Sequence, residues 1–319
     1  MKTLFIDRKN AELEIEKGRL IVRIPDQNPH FSVPTNILEM LVISAPVRFS
    51  STLMTQLTQE KVISVFINQR RMDGCTITTG IMHNDARRRL LQYQAINQIS
   101  LRITYAKQLV EQKLRLQKAL LIRALNARPD LRLDMTKAIS RIDYQLRNIN
   151  DIATFESLRG VEGAAGAAYF KAYQKLFAPS LAFNGRNRRP PLDPVNVVLS
   201  LTYTLLHAEA VRALFSTGFD PLLGFYHEPD FGRESLACDM VELFRPLAER
   251  WIWRLFAREI LRPEHFSKES NKEGLPCILD KRGREIYYTE YEVSARNWRR
   301  LMRRSSRKWL DVLSTNLSE

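Results

Sequence analysis

A glutamate, a histidine and two further acids in the second half of the chain are the side-chain types that hold a hard divalent cation. The stretch Gly218–Pro246, GFDPLLGFYHEPDFGRESLACDMVELFRP, opens on a turn signal and delivers His227 at the end of a short apolar run. It then passes through a polar loop with Pro229 and Gly232 into a helix capped by Ser235 or by the acids before it. Asp239 and Glu242 stand three apart on that helix, so they project from one face. Upstream, Glu162 lies where Gly160, Gly163 and Gly166 recur among Ala164, Ala165, Ala167 and Ala168. Glycine inside a helix costs about 1 kcal/mol relative to alanine, so this density marks a face that another backbone or a substrate approaches closely. An acid on such a face is a candidate metal ligand, and a plain surface glutamate is the alternative. Glu162, His227 and Glu242, with Asp239 beside them, form an oxygen-rich set with one imidazole. Such a set suits Mg2+ or Mn2+ better than zinc, which favours more His or Cys. The ion would act as a Lewis acid at a phosphodiester. The attacking oxygen is then water, giving hydrolysis, or a DNA 3′-hydroxyl, giving strand transfer; the spacing leaves both open.

The partner class follows from charge. The 319 residues carry a formal net charge of +14, which calls for a polyanion, nucleic acid or an anionic membrane surface. Arg186, Arg188 and Arg189 stand beside the rigid Pro190-Pro191 pair, and Arg296, Arg299, Arg300, Arg303, Arg304, Arg307 and Lys308 crowd one C-terminal helix. That helix is the densest basic strip, and a duplex is its natural partner, because such contacts neutralise phosphates without reading bases. No run of apolar residues is long enough to span a bilayer. Asp7 cuts the N-terminal apolar run too early for a signal peptide. Cys75, Cys238 and Cys277 are scattered without CxxC spacing, which fits a reducing cytoplasm.

The elements that must position these residues fall into two groups, an α+β organisation. Residues 1–82 read as an N-terminal β-sheet domain with one small helix. Alternating runs at 4–7, 12–16 and 19–24 are joined by a Lys17-Gly18 turn, with strands at 38–44, 62–67 and 75–79 and a helix at 50–60. Residues 83–319 read as a larger, mostly α-helical catalytic domain. A helix capped by Asn84 or Asp85 runs from Ala86 to about Leu125, its polar side carrying Arg87, Arg88, Arg89, Arg102, Lys107, Lys113, Arg115 and Lys118. Arginine-led helices of this kind often track phosphates, and a solvated charged face is the alternative. Further helices are expected at 135–149, from Thr154 onward, and at 197–216 with Asn196 as cap; the last of these is core, with His207 and Glu209 on its later half. Separate helices at 235–246 and 247–261, a hairpin at 277–288 turning at 281–283, and a final helix at 289–313 complete the reading.

Four ordered blocks, LRGVEGAAGAAYF, NRRPPLDPVNVVLSLTYTLL, GFDPLLGFYHEP and RESLACDMVELFRP, cover most of residues 158–246. Together with VPTNILEMLVIS and VISVFIN near the N-terminus, they make the chain resemble the CRISPR-associated integrase family, the catalytic subunit of spacer acquisition. The resemblance implies a metal held by Glu162, His227 and Glu242, with Asp239 as a supporting residue or alternate ligand. It also implies a homodimer built through the β domain, assembled with a small companion protein, Cas two, into a heterohexamer. This assembly would bind a foreign DNA fragment and join its 3′-hydroxyl ends into the CRISPR leader-repeat by transesterification; isolated members also cleave DNA. Glu249, in RPLAER, stands where the family often has aspartate, away from the expected catalytic set. Two other readings of the residues are a DNA-repair nuclease and a non-catalytic DNA scaffold.

Overall fold

The computed structural model describes residues 2–25, 29–67, 75–80, 83, 85–187, 190–268 and 276–316. Strands β1 (Lys2–Ile6), β2 (Ala11–Glu16), β3 (Arg19–Arg23), β4 (Phe31–Pro34), β5 (Leu38–Ile43) and β6 (Val47–Phe49) precede helix α1 (Ser51–Gln59), and β7 (Ile63–Ile67) and β8 (Cys75–Thr78) follow it. They form two four-stranded sheets, ordered β1-β5-β7-β8 and β4-β3-β2-β6. The Lys17-Gly18 turn is present, with both residues at positive φ and Glu16 paired to Arg19. Ser50 caps α1 by accepting from the Leu53 amide.

The alternation within β5 explains how the β part meets the rest. Leu41 and Ile43 point into a core shared with Leu13, Leu20 and Leu57, while Met40 and Val42 point the other way and join the core of the helices. One face of the first sheet is therefore part of the helical core. Side-chain bonds reinforce the junction: Phe5 stacks on Tyr288 with ring centroids 4.2 Å apart, Arg284 Nε donates to Asp7 Oδ2 at 3.0 Å, and Arg212 pairs with Glu39. The expected boundary at residues 82 and 83 falls among positions of which 81, 82 and 84 lie outside the described residues.

The helical part comprises α2 (Ala86–Asn97), α3 (Ile99–Ala127), α4 (Arg132–Asn148), α5 (Phe155–Tyr173), α6 (Pro194–Thr217), α7 (Ser235–Ala257) and α8 (Lys281–Asn316), with a short ribbon of β9 (Phe266–Lys268) and β10 (Cys277–Leu279). Several expectations are corrected here. The long helix after residue 86 breaks at Gln98, whose ψ of 99° is extended, and Asp85 caps its first part. Asp193, one turn before Asn196, caps α6 by accepting from the Asn196 amide, with Pro194 at the first helical position. The helix at 235–246 does not stop: α7 continues through Pro246, which cannot donate to the carbonyl four residues back, that of Glu242. The expected hairpin at 277–288 is instead β10 paired with β9, and α8 begins directly at Lys281. α6 is long and apolar enough by composition to cross a membrane, yet 78% of its most apolar window is buried here, as befits a core helix.

Candidate active site

The loop between α6 and α7 is threaded so tightly that its own backbone builds the site. Gly218 ends α6 in the left-handed region, φ 89°. Gln92 Nε2 then donates to the Asp220 and Leu223 carbonyls at 2.9 and 2.8 Å, and Arg102 Nε donates to the Phe225 carbonyl at 3.0 Å. At Gly224 an added Cβ would lie 2.7 Å from the His227 carbonyl and 2.9 Å from Asp239 Oδ2, so only glycine fits. Asp239, fully buried on the first turns of α7, gathers the loop: its Oδ2 accepts from the Phe225 and Tyr226 amides at 2.7 and 3.0 Å, and its Oδ1 accepts from the His227 amide at 2.9 Å. The same Oδ1 lies 2.7 Å from His227 Nδ1. That contact fixes the ring and leaves Nε2 as the free nitrogen.

Glu162 on α5 and Glu242 on α7 meet on a side chain placed on a solvated face by its sequence context. Lys113, on α3, is 5% exposed and donates through Nζ to Glu162 Oε1. Its Nζ also lies 2.5 Å from Glu242 Oε2, so one ammonium meets both carboxylates. Arg245, one turn along α7, pairs with Glu242 Oε1 at 2.6 Å. Burial opposes the charge on Glu242, but Arg245, Lys113 and the nearby His227 outweigh it and hold the carboxyl at about 2. Burial likewise works against the ammonium of Lys113, and the two carboxylates overcome it, leaving its pKa above the ordinary lysine value. The Tyr226 phenol is pushed up by burial and by Glu162 and Glu242. Glu162, His227, Asp239 and Glu242 are thus neighbours, with Glu242 and Asp239 forming the buried floor and Glu162, its side chain 25% exposed, and His227, 19% exposed, at the rim.

Among the described residues, the glycines beside Glu162 meet no other backbone. A Cβ at Gly160 or Gly163 would have open space around it, and at Gly166 it would lie 3.9 Å from Glu162 Oε1. The small face of α5 is open at the rim of the site. Lys113 and Arg245 carried no catalytic motif. A signal for Lys113 was nevertheless present: Ala106, Leu109, Val110, Leu114, Leu121 and Ala124 form the buried stripe of α3, and position 113 falls on it. Glu249, also on α7, is 1% exposed and accepts from Tyr169 and Tyr203 hydroxyls at 2.6 and 2.5 Å. The Tyr203 ring lies under the Arg245 guanidinium at 4.8 Å, so Glu249 supports Glu242 through two intermediates. His207 bonds Glu234 at 3.2 Å away from this set, and Glu209 is buried on α6.

Two of the basic residues expected to grip phosphates are bound internally. Arg299 is 3% exposed and bonds Glu209, Glu292 and Thr3. Arg186 donates to Asn196 Oδ1 and Ser200 Oγ at 2.8 and 3.0 Å. Arg299 is buried, and Arg186 is half-buried. On α2 and α3, Arg88 and Lys107 hold the Thr217 and Asn150 carbonyls. Arg188 and Arg189 lie outside the described residues. On α8, Arg303 is half-buried, and Arg296, Arg300, Arg304, Arg307 and Lys308 are exposed. At intervals of three and four they share one face.

Fold and site together define an α+β protein that gathers two carboxylates, an imidazole and two cations where α3, α5 and α7 pack together. The family model described as CRISPR associated protein Cas1 matches residues 4–293, and the chain belongs to that family. The CRISPR-associated endonuclease Cas1 1 of Thermodesulfovibrio yellowstonii is 36% identical over 305 residues, 95% of this chain and 94% of that one. Among solved structures, a casposase bound to integration product aligns with a TM-score of 0.84 at 19% identity, covering 99% of this chain and 91% of that chain. A Cas6-RT-Cas1–Cas2 complex aligns with a TM-score of 0.82 at 20% identity, covering 99% of this chain and 35% of that one. At such identities the two structures speak for the fold alone.

Proposed function

We propose that this protein is the divalent-metal-dependent DNA integrase and endonuclease of CRISPR adaptation. It acts in the cytoplasm and joins the 3′-hydroxyl ends of a foreign DNA fragment into the CRISPR leader-repeat. The observation that carries this reading is the meeting of Glu162 and Glu242 on one ammonium beside an imidazole clamped by Asp239. Among the described residues no three His, Cys, Asp or Glu side chains are already gathered as a metal cluster. The donor set nevertheless fits Mg2+ or Mn2+. Glu242 Oε2 and Glu162 Oε1 converge on one ammonium, and His227 presents Nε2 with its other nitrogen held by a carboxylate.

Glu162, His227 and Glu242 would hold the ion, and Asp239 would fix the orientation of His227. When bound, the ion supplies Lewis-acid stabilisation of the charge that grows on the attacked phosphate. Attack by the fragment's 3′-hydroxyl forms one phosphorus–oxygen bond as the bond from that phosphorus to the flanking strand's 3′-oxygen breaks; the attacking hydroxyl gives up a proton and the departing oxygen takes one up. The count of phosphodiesters is unchanged and no nucleotide cofactor is required. Water in place of the 3′-hydroxyl gives cleavage. The exposed face of α8 would hold backbone phosphates, and the open small face of α5 leaves room for a strand to reach Glu162. The partners proposed are double-stranded DNA, a second copy of this chain, and the companion Cas2 protein in a heterohexamer. The named Cas1–Cas2 assembly and the casposase product complex of the same fold support DNA and the companion protein as partners.

The test supplies a 3′-hydroxyl fragment and a supercoiled leader-repeat plasmid to the chain assembled with its companion protein. Joined product in Mg2+ or Mn2+ is expected from the wild type. Glu162→Gln, His227→Ala and Glu242→Gln should abolish joining and retain the DNA binding that the wild type shows without metal. Cleavage without joining would instead make the protein a repair-type nuclease, and full joining by all three variants would reduce this site to a scaffold.

A further inference from the structure

The electrostatic balance of the site, rather than its ligands, carries a further consequence. Two carboxylates, Glu162 and Glu242, face a buried ammonium, Lys113, and a half-buried guanidinium, Arg245. Their formal charges sum to zero, and the charge of Asp239 is absorbed by three backbone N–H groups and the imidazole. A divalent ion arriving alone therefore finds a neutral cluster whose middle is taken by the Lys113 ammonium. Arg245 pairs with Oε1 of Glu242, while Lys113 meets Oε2 and is the cation that contacts both carboxylates. Its flexible stem permits the ammonium to turn away, whereas a guanidinium fixed by a fork of bonds would not.

We propose that Lys113 is an internal counter-ion that keeps metal affinity low until DNA is present, so that metal and DNA bind cooperatively. This rests on the reading of the site as a metal centre. A phosphodiester at the rim brings the negative charge that the neutral cluster lacks and gives the displaced ammonium a new anion to pair with. Metal held in the absence of substrate would expose any passing strand or water to an armed site, and the counter-ion restricts arming to the loaded complex. Thermodynamic reciprocity requires that Mn2+ strengthen DNA binding by the same factor that DNA strengthens Mn2+ binding.

The experiment measures Mn2+ binding by electron paramagnetic resonance of the free ion, with and without a short DNA duplex, for the wild type, Lys113→Gln and Lys113→Arg. The wild type should bind Mn2+ weakly alone and about tenfold or more tightly with DNA. Removing one unit charge a few ångströms from the ion should tighten DNA-free binding in Lys113→Gln by about tenfold or more and shrink the effect of DNA. Lys113→Arg, which keeps the charge but not the mobile stem, should bind Mn2+ no more tightly than the wild type without DNA and gain less from DNA. A folded Lys113→Gln that binds Mn2+ no more tightly than the wild type overturns the proposal. So does equal Mn2+ affinity of the wild type with and without DNA, a measurement that does not depend on the variants folding. Failure of the metal reading itself looks different: the wild type would bind no Mn2+ under either condition, and Glu162→Gln would change nothing.

Discussion

Asp239 shows how one carboxylate can organise a site without reaching its rim. Its two oxygens accept from three successive backbone amides and from the imidazole, so it sets both the path of the loop and the free nitrogen of His227. An amide in its place keeps one accepting oxygen and turns a donor toward the other partner. Asp239→Asn is therefore expected to lower Mn2+ affinity and joining by about 10–100-fold, the usual loss when the partner behind a ligating histidine is removed. Nitrogen NMR shifts of His227 check the assignment. A variant with abolished activity but an unchanged imidazole tautomer would show that Asp239 acts on the loop alone.

Among the elements, α8 divides its arginines between two tasks. Its buried face carries Arg299, which spans Glu209 of α6, Glu292 two turns back and Thr3 of β1. This is a charged tie between the last helix, the core helix and the first strand. Removing one partner leaves buried carboxylates unpaired, so Arg299→Ala should cost about 3–5 kcal/mol of stability, read by urea unfolding. Arg300→Ala, on the exposed face one residue along, should unfold like the wild type. Equal stability of the two variants would mean that the tie is solvated in solution.

At the scale of the whole molecule, the net charge of +14 must be weighed against how much of it is free to meet a partner. Many arginines and lysines of α2, α3 and the 186 loop are spent on carbonyls and carboxylates of the chain itself. Arg296, Arg300, Arg304 and Arg307 form an exposed row along one side of α8. Replacing Arg296, Arg300 and Arg307 by alanine together should flatten the dependence of DNA affinity on salt by about 0.9 logarithmic unit of slope for each phosphate that is no longer neutralised. Binding titrations at several ionic strengths measure this directly, and an unchanged slope would move the DNA path to another surface.

The sequence by itself determined what depends on neighbours along the chain. The Lys17-Gly18 turn, the strand at 38–43, the helix that starts at Thr154, and the common face of Asp239 and Glu242 all follow from short spacings that backbone geometry makes periodic. The family blocks placed Glu162 and His227 in one set for the same reason of order and motif. Local pattern misled where a single residue overrode it, as at Gln98, or failed to, as at Pro246 within α7. Only the tertiary structure decided the roles of the charges. Lys113 and Arg115 look alike on a charged helix, yet one is buried between two carboxylates and the other pairs at the surface with Glu111. Arg299 and Arg300 are adjacent in sequence and opposite in burial. Burial sets what a charge costs and which partner it must take, and burial is fixed by packing between helices far apart in the chain, which no local period encodes.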